Sequence, residues 1–308
     1  MLPRLYMTPN ELLESPLGVA LSNQISSLSS GVVDKYLAKA SQKCDSWCRK
    51  RLQAPGTSTL SQLANAGATS ISVASTLTLD DLDELAVIIN PNGGNQETVI
   101  INSGGVAVTT WASPYPGTIA LASGLQFNHS LGETVQYVYK EVSEVGSASS
   151  SDPYTEALQT QTMQLALAHL PPAQQALTRV VFTKTYPIIN LIQLEHAFSF
   201  TNQFNAVDMT IESIVPNEGW YRMNVGSVIL REGLMRTTYT AGYTSMPEDV
   251  KDATMHYFAE SMRLMSNPTG ASKMGMGKRN QEWQLDKNGD PPLVAEAKKL
   301  LKNYRKSI

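Results

Sequence analysis

Pro55-Gly56 separates two kinds of sequence, and that break limits what this chain of 308 residues can become. Before it, Val33, Tyr36, Leu37, Ala40, Cys44, Trp47, Cys48 and Leu52 recur at spacings of three and four. That is one apolar stripe on a long amphipathic helix. After it, from Thr57 to Val142, Thr, Ser, Val, Ile and Gly dominate and the helical period is lost. Ile71-Ser72-Val73, Thr98-Val99-Ile100-Ile101, Val106-Ala107-Val108-Thr109 and Thr134-Val135-Gln136-Tyr137-Val138 predict short strands. Asn92-Gly93-Gly94-Asn95 and Ser103-Gly104-Gly105 predict hairpin turns between them. The segment reads as a compact all-β module.

Helical signals frame the module. Thr8-Pro9-Asn10-Glu11 forms a capping box: a Thr cap, a Pro at the first helical position and a Glu that reaches back. Pro16 and Gly18 keep that helix short. Ser30 is placed to cap the longer helix, with Asp34 near its positive end and Arg49, Lys50 and Arg51 in its last turn, where cations suit the dipole. Gly146 to Ser151 predicts a flexible linker, and Asp152-Pro153 opens a helix carrying Leu158, Thr162, Leu165 and Ala168. Strands return at Arg179–Thr183, Ile188–Ile192, Ser227–Leu230 and Thr237–Thr240. Pro247 starts a helix that buries Val250, Ala253, Tyr257, Ser261, Leu264 and Met265. A Gly-, Met- and Lys-rich loop spans 270–290. A last helix after Asp290-Pro291 sets Leu293, Ala297, Leu300, Leu301 and Tyr304 on one stripe, opposite Lys298, Lys299, Lys302, Arg305 and Lys306.

These patterns predict an α+β chain: a helical bundle with a small antiparallel sheet, interrupted by an inserted all-β domain. The expected divisions are N-terminal helices at 1–56, the β domain at 57–142, a linker and helix at 143–177, the core sheet and long helix at 178–289, and a basic amphipathic helix at 290–308.

The net charge of −3 hides a segregation. Residues 1–56 carry +3, 57–142 carry −6, 143–272 carry −5 and 273–308 carry +5. Basic ends and an acidic middle argue against a uniform nucleic-acid-binding surface and fit a part that meets different partners in different places. Charged residues make up only 17% of the chain, below the roughly 25% usual for soluble domains, which suits a surface covered by partners. No run approaches the roughly 18 apolar residues of a membrane helix. Met1-Leu2-Pro3-Arg4 lacks the apolar stretch of a secretory signal, so no membrane partner is expected.

Cys44 and Cys48 cannot build a disulfide framework and read as small apolar residues in a reducing compartment. His129, His169, His196 and His256 have no metal-ligand spacing, so no metal or cofactor is expected. Gly270 and Gly275 have phosphate-loop spacing, but Met276 stands where the lysine must be. Asp286-Lys287-Asn288-Gly289-Asp290 begins like a calcium loop, and Pro291-Pro292 ends it. No HExxH or GxSxG occurs, and Asp80-Asp81 and Glu248-Asp249 read as helix-start or loop carboxylates. No catalytic residue is assigned, and the chain is expected not to be an enzyme.

One stretch carries a resemblance. Arg236-Thr237-Thr238-Tyr239-Thr240-Ala241-Gly242-Tyr243, followed by Met246-Pro247-Glu248-Asp249-Val250-Lys251 and a long helix, resembles the head–tail connector (adaptor) family of tailed bacteriophages. The helix ending in Cys44-Asp45-Ser46-Trp47-Cys48-Arg49-Lys50-Arg51-Leu52 is similar to that family's second helix, and Gly289-Asp290-Pro291 to Tyr304-Arg305 to its tail. The likeness covers about 8–55 and 178–308. Shorter relatives lack the interruption at 57–177, and 57–142 is similar to β modules of other phage structural proteins. The resemblance implies a virion neck protein assembled in the host bacterial cytoplasm. It implies a homo-oligomeric ring, commonly a dodecamer, docked on the portal protein and facing a tail, stopper or terminator protein. Genome DNA would pass through the ring without sequence-specific binding. On this expectation Leu293, Ala297, Lys298, Lys299, Leu300, Leu301, Lys302, Tyr304 and Arg305 seat in a portal groove, and Arg49, Lys50 and Arg51 line the channel. The β domain decorates the ring or contacts neighbouring subunits or fibres. The rival expectation is a tail or fibre attachment module that binds protein or glycan through that domain.

Overall fold

The computed structural model of the chain describes residues 5–79, 85–144, 168, 178–197, 204–206, 210–224, 234–266, 273–276, 279–282 and 290–305. The expected linker at 146–151, the strand at 227–230 and all but Ala168 of the helix from Asp152 lie outside the described residues.

The architecture corrects the expected bundle with a small sheet. Among the described residues most of the regular structure is antiparallel: a nine-stranded sheet and a three-stranded sheet, with a few helices. The strands are β1 (Thr57–Thr59), β2 (Ser70–Val73), β3 (Leu85–Ile89), β4 (Glu97–Val108), β5 (Gly117–Leu121), β6 (Thr134–Glu144), β7 (Thr178–Phe182), β8 (Ile188–Ala197), β9 (Asn205–Ala206), β10 (Thr210–Val215), β11 (Trp220–Asn224) and β12 (Leu234–Ala241). The large sheet runs β2-β5-β4-β3-β6-β12-β8-β9, with β1 also paired to β6. The module after Pro55-Gly56 and the strands that follow it in sequence therefore share one sheet. Local periodicity could not show this, because strand pairing joins residues about a hundred positions apart.

The first half of the sheet closes on itself. β4 pairs with β3 through Thr98–Ile100 and with β5 through Ile101 and Val106–Val108. The register shifts between Ile101 and Val106, so Ser103-Gly104-Gly105, expected as a hairpin turn, is a bulge inside one bent strand. Such bulges turn the corners of barrels. Gly104 has φ +67, and a Cβ at Gly105 would lie 2.7 Å from the Asn102 carbonyl oxygen. On the open side, Ser61 N donates to Ser72 O and Ala74 N to Thr59 O, both at 2.9 Å, tying the β1 segment to β2. β1 also pairs with β6, so β1-β2-β5-β4-β3-β6 make a barrel-like ring. Its interior is filled by Ile71, Val73, Leu85, Val87, Ile89, Ile101, Ile119, Leu121, Val135 and Tyr137.

β6 then leaves the barrel. Tyr139 pairs with Leu85 of β3 and with Tyr239 of β12 at once. From Lys140 to Glu144 the strand belongs to β12. The three-stranded sheet β10-β11-β7 packs over β8 and β12 through Val181, Tyr221, Ile188, Leu194 and Met235.

The helices are α1 (Pro9–Glu14), α2 (Pro16–Ala20), α3 (Ser22–Ser26), α4 (Ser30–Cys48), α5 (Glu248–Ser266) and α6 (Pro292–Leu300). The predicted capping box is present: Glu11 N donates to Thr8 Oγ1 at 3.2 Å and Thr8 N to Glu11 Oε2 at 2.6 Å. α4 ends at Cys48, earlier than the stripe suggests, because Arg49 takes the left-handed conformation at φ 55. On α5 the predicted Leu264 and Met265 are exposed, and Thr254, Phe258 and Met262 are buried in their place. Lys273–Met276 and Arg279–Glu282, inside the expected 270–290 loop, pair as a hairpin, β13 and β14.

Two contacts join the helices to the sheet. Tyr243 N donates to Leu52 O at 2.6 Å and Ala54 N to Tyr243 O at 3.1 Å, so the chain leaving α4 runs beside the chain leaving β12. Gly242, at φ +107, allows it: a Cβ there would lie 2.6 Å from Ala54 N. At the other end of α4, the Tyr115 hydroxyl from the β4–β5 loop donates to buried Asp34 at 2.9 Å. Among the described residues the other oxygen of Asp34 has no hydrogen-bond partner, and burial raises the carboxyl above its usual pKa.

Gly242→Ala is expected to cost about 1–3 kcal/mol, since it adds both backbone strain and a clash. Thermal melts should show a clear drop in Tm against the control Gly94→Ala, where nothing lies within 4 Å. Asp34 gives a pH signature. Its folded pKa is raised, so it costs nothing where the carboxyl is protonated in both states, and the penalty grows as pH rises from about 4. Asp34→Asn keeps an acceptor for Tyr115. It should raise the urea midpoint at neutral pH, with the gain shrinking towards pH 4.

Candidate interaction surfaces

α6 is only nine residues long, too short to hold its shape alone, so it has to bury its stripe somewhere. It does so on its own subunit. Ala297 and Leu301 are fully buried in one core with Cys44, Cys48, Val250 and Phe258. Val294, Leu300 and Tyr304 pack against that core, and the Tyr304 ring meets Tyr243 edge-on at 5.9 Å. Leu293 is half-buried. The groove expected on a portal is thus formed by α4 and α5. This corrects the apolar half of the expected docking site.

The basic half is divided. Lys298 bonds Asp290 at 2.6 Å and lies 4.8 Å from the centre of the Trp47 ring, with Arg305 4.5 Å from the same ring. Those two charges are held in place by an aromatic ring and a carboxylate. Lys299 and Lys302 are exposed. Lys299 makes only a surface pair with Glu296 at 3.3 Å, the kind of pair that holds a side chain weakly.

Arg49, Lys50 and Arg51, expected to line a channel together, point in different directions. Arg49 caps α4 and is exposed. Lys50 lies 3.5 Å over the Tyr186 ring. Arg51 is buried, 5.3 Å over the Tyr139 ring. Lys50 and Arg51 therefore lock the end of α4 onto the point where β6 changes partners. Buried Glu141 and Tyr239 complete that joint. Tyr239 donates its hydroxyl to Glu141, Lys184 N donates to Glu141 at 3.0 Å, and Thr185 N donates to the Tyr239 oxygen at 3.3 Å. Burial first, then the Glu141 charge, drives the Tyr239 hydroxyl well above its usual pKa.

A second buried polar node staples the far end of the barrel. His129 is fully buried, with Nε2 2.7 Å from Glu97 and Nδ1 2.7 Å from Glu133. Glu97 also accepts from Gln126 N at 2.9 Å, and Glu133 from Ser130 N at 2.9 Å. An imidazolium can donate from both nitrogens, whereas a neutral ring can donate from one. The node anchors the 126–133 turn, which carries exposed Phe127 and Leu131 and pairs with the 61–66 segment bearing exposed Leu63. Metal-ligand spacing is the wrong filter for this node. Its sequence signal is the His129–Glu133 interval of four residues, and Glu97 is added only by the fold.

Cys44 and Cys48 are buried and free. Burial pushes the Cys44 thiol far up and the Cys48 thiol up to about 12, which makes both poor nucleophiles. Among the described residues no three His, Cys, Asp or Glu side chains are grouped to hold a metal ion, and no helix is long and apolar enough to cross a membrane. No protein-family model matches this chain, and no curated protein matches it either.

Replacing His129 with Leu should leave buried Glu97 without its imidazole partner and destabilise the chain by about 3–5 kcal/mol in urea denaturation. Adding Glu97→Gln and Glu133→Gln should recover part of that loss, because the stranded charges go with them.

Proposed function

We propose that this protein is a structural subunit of the neck of a tailed bacteriophage: an adaptor that forms a ring between the portal and a tail or stopper component and surrounds the passing genome. The observation that carries the reading is where the connector-like run falls. Tyr239 to Tyr243 and Pro247 to Lys251 form the joint at which the sheet hands over to the helices. Tyr239 is tied to Glu141, Gly242 lies against Gln53 and Ala54, and Lys251 bonds Glu11 at 2.9 Å. The residues that resemble the connector family thus act together as one framework. Such a framework carries no reacting groups and suits a part whose work is assembly.

On this reading the portal contact is electrostatic at α6, made by exposed Lys299 and Lys302 rather than by the stripe. Leu63, Phe127 and Leu131 at the barrel end support a second role for the β module, as a contact to a neighbouring subunit or a fibre protein. Such a patch suits the heterologous interfaces of a closed ring.

The test is to purify the full chain and the portal protein of the same virion. Assembly is then followed by mass photometry and negative-stain microscopy. Rings of the chain alone, or rings that form on the portal, are expected. A monomer that never associates with portal rings overturns the proposal. Lys299→Glu with Lys302→Glu should weaken portal association and leave Tm unchanged.

A further inference from the structure

α4 turns towards solvent a face that holds cations and no carboxylate. Lys35, Lys39 and Arg49 are exposed and Lys43 is half-buried. At about 100° per residue Lys35, Lys39 and Lys43 fall within an arc of roughly 80°, and Arg49, at the left-handed cap of the helix, stands about 21 Å from Lys35 along the axis at 1.5 Å per residue. Gln42 and Ser46 lie between them. The two acids of the helix point elsewhere: Asp34 is buried against Tyr115, and Asp45 accepts from the Tyr6 hydroxyl and from Leu52 N.

Many cations in the molecule are matched. Arg236 and Lys140 share Glu195, Lys251 holds Glu11, Arg263 holds Glu260 and Lys298 holds Asp290. Among the described residues no carboxylate lies within salt-bridge reach of Lys35, Lys39, Lys43 or Arg49. Burial first, and then the charge of Lys39, draws Lys43 below its usual pKa against the pull of Glu260, which Arg263 already engages. Among the described residues α4 thus carries an uncompensated positive stripe, in a chain of net charge −3. Aromatic rings support two of its side chains: Lys35 lies 5.5 Å over Trp111 and Lys43 5.6 Å over Tyr257.

We propose that Lys35, Lys39, Lys43 and Arg49 form a docking surface for the phosphate backbone of double-stranded DNA, contacted without reading sequence. The proposal rests on the neck reading and puts this stripe in place of Arg49, Lys50 and Arg51 as the DNA-facing surface. The stripe spans roughly two-thirds of the 34 Å turn of a duplex. Lysines meet phosphates as point charges on flexible stems, which tolerates any sequence. A protein partner would need a central apolar or aromatic anchor. None of the exposed large hydrophobic residues lies on α4.

The test measures binding of the full chain to a fluorescent random-sequence duplex by anisotropy across a salt series. Four phosphate contacts predict a log–log salt slope of about −3.6. Changing Lys35, Lys39, Lys43 and Arg49 together to Gln should weaken binding at least ~10-fold and flatten the slope, with Tm and assembly state unchanged. Should that variant misfold, K35Q with K39Q, both at exposed positions, should remove about half of the slope. Lys299→Gln with Lys302→Gln should leave DNA binding intact. The proposal is overturned by a wild-type chain that does not bind the duplex, by a folded variant that binds as tightly as wild type, or by stronger binding to polyglutamate than to DNA. Portal assembly is scored separately. Rings without stripe-dependent DNA binding sink this proposal alone, and stripe-dependent binding without rings sinks the neck reading alone.

Discussion

Tyr139 is the residue on which the two halves of the molecule depend, because it is where one strand serves two sheets. Up to that point β6 closes the barrel with β3, and beyond it the same strand carries β12. Its ring lies 5.4 Å from that of Tyr239 and under the guanidinium of Arg51. Barrel, second sheet and the end of α4 therefore meet within one cluster of side chains. Glu141, two residues further along the same face, fixes the 183–187 loop through Lys184 N. Nothing here moves independently without breaking buried hydrogen bonds, and stranded buried polar groups are expensive. The arrangement favours rigidity.

Charge is handled differently in the two regions. Around the sheets, charged side chains are paired and mostly internal: Glu195 with Arg236 and Lys140, and His129 with Glu97 and Glu133. The outer face of α4 has cations with no matching acids. Among the described residues, the separation seen as charged blocks along the chain thus becomes, in space, paired charges around the sheets and a stripe of unmatched cations on α4. Paired charges cancel at a distance, so the long-range field of this region comes from the unmatched cations.

How much was legible depended on whether the signal was local. Thr8 and Glu11 form the capping box that their spacing announces, and α5 begins at Glu248, one residue after the expected start at Pro247. Strands were found where β-branched residues cluster. Some misreadings were of partnership, and others of where an element ends or which face it buries. Ser103-Gly104-Gly105 carries turn chemistry that serves equally for a bulge, and only the register of β3 and β5 selects between them. The stripe on α6 is apolar on either reading, and what covers it is a matter of where α4 and α5 end up. Arg49, Lys50 and Arg51 are consecutive, yet a left-handed turn at Arg49 and two tyrosine rings send them to three environments.

The sequence by itself determined the elements and their faces: the amphipathic helices, the cap at Thr8, the end of helical pattern at Pro55-Gly56 and the strand that runs into Gly242. These depend on backbone preference and on neighbours within a turn or a hairpin. The tertiary structure alone decided that β6 would be shared, that His129 would find Glu97, and that α6 would be covered from within. Those outcomes depend on contacts between residues far apart in the chain, whose closure cost and burial gain can be weighed only once the whole fold is in place.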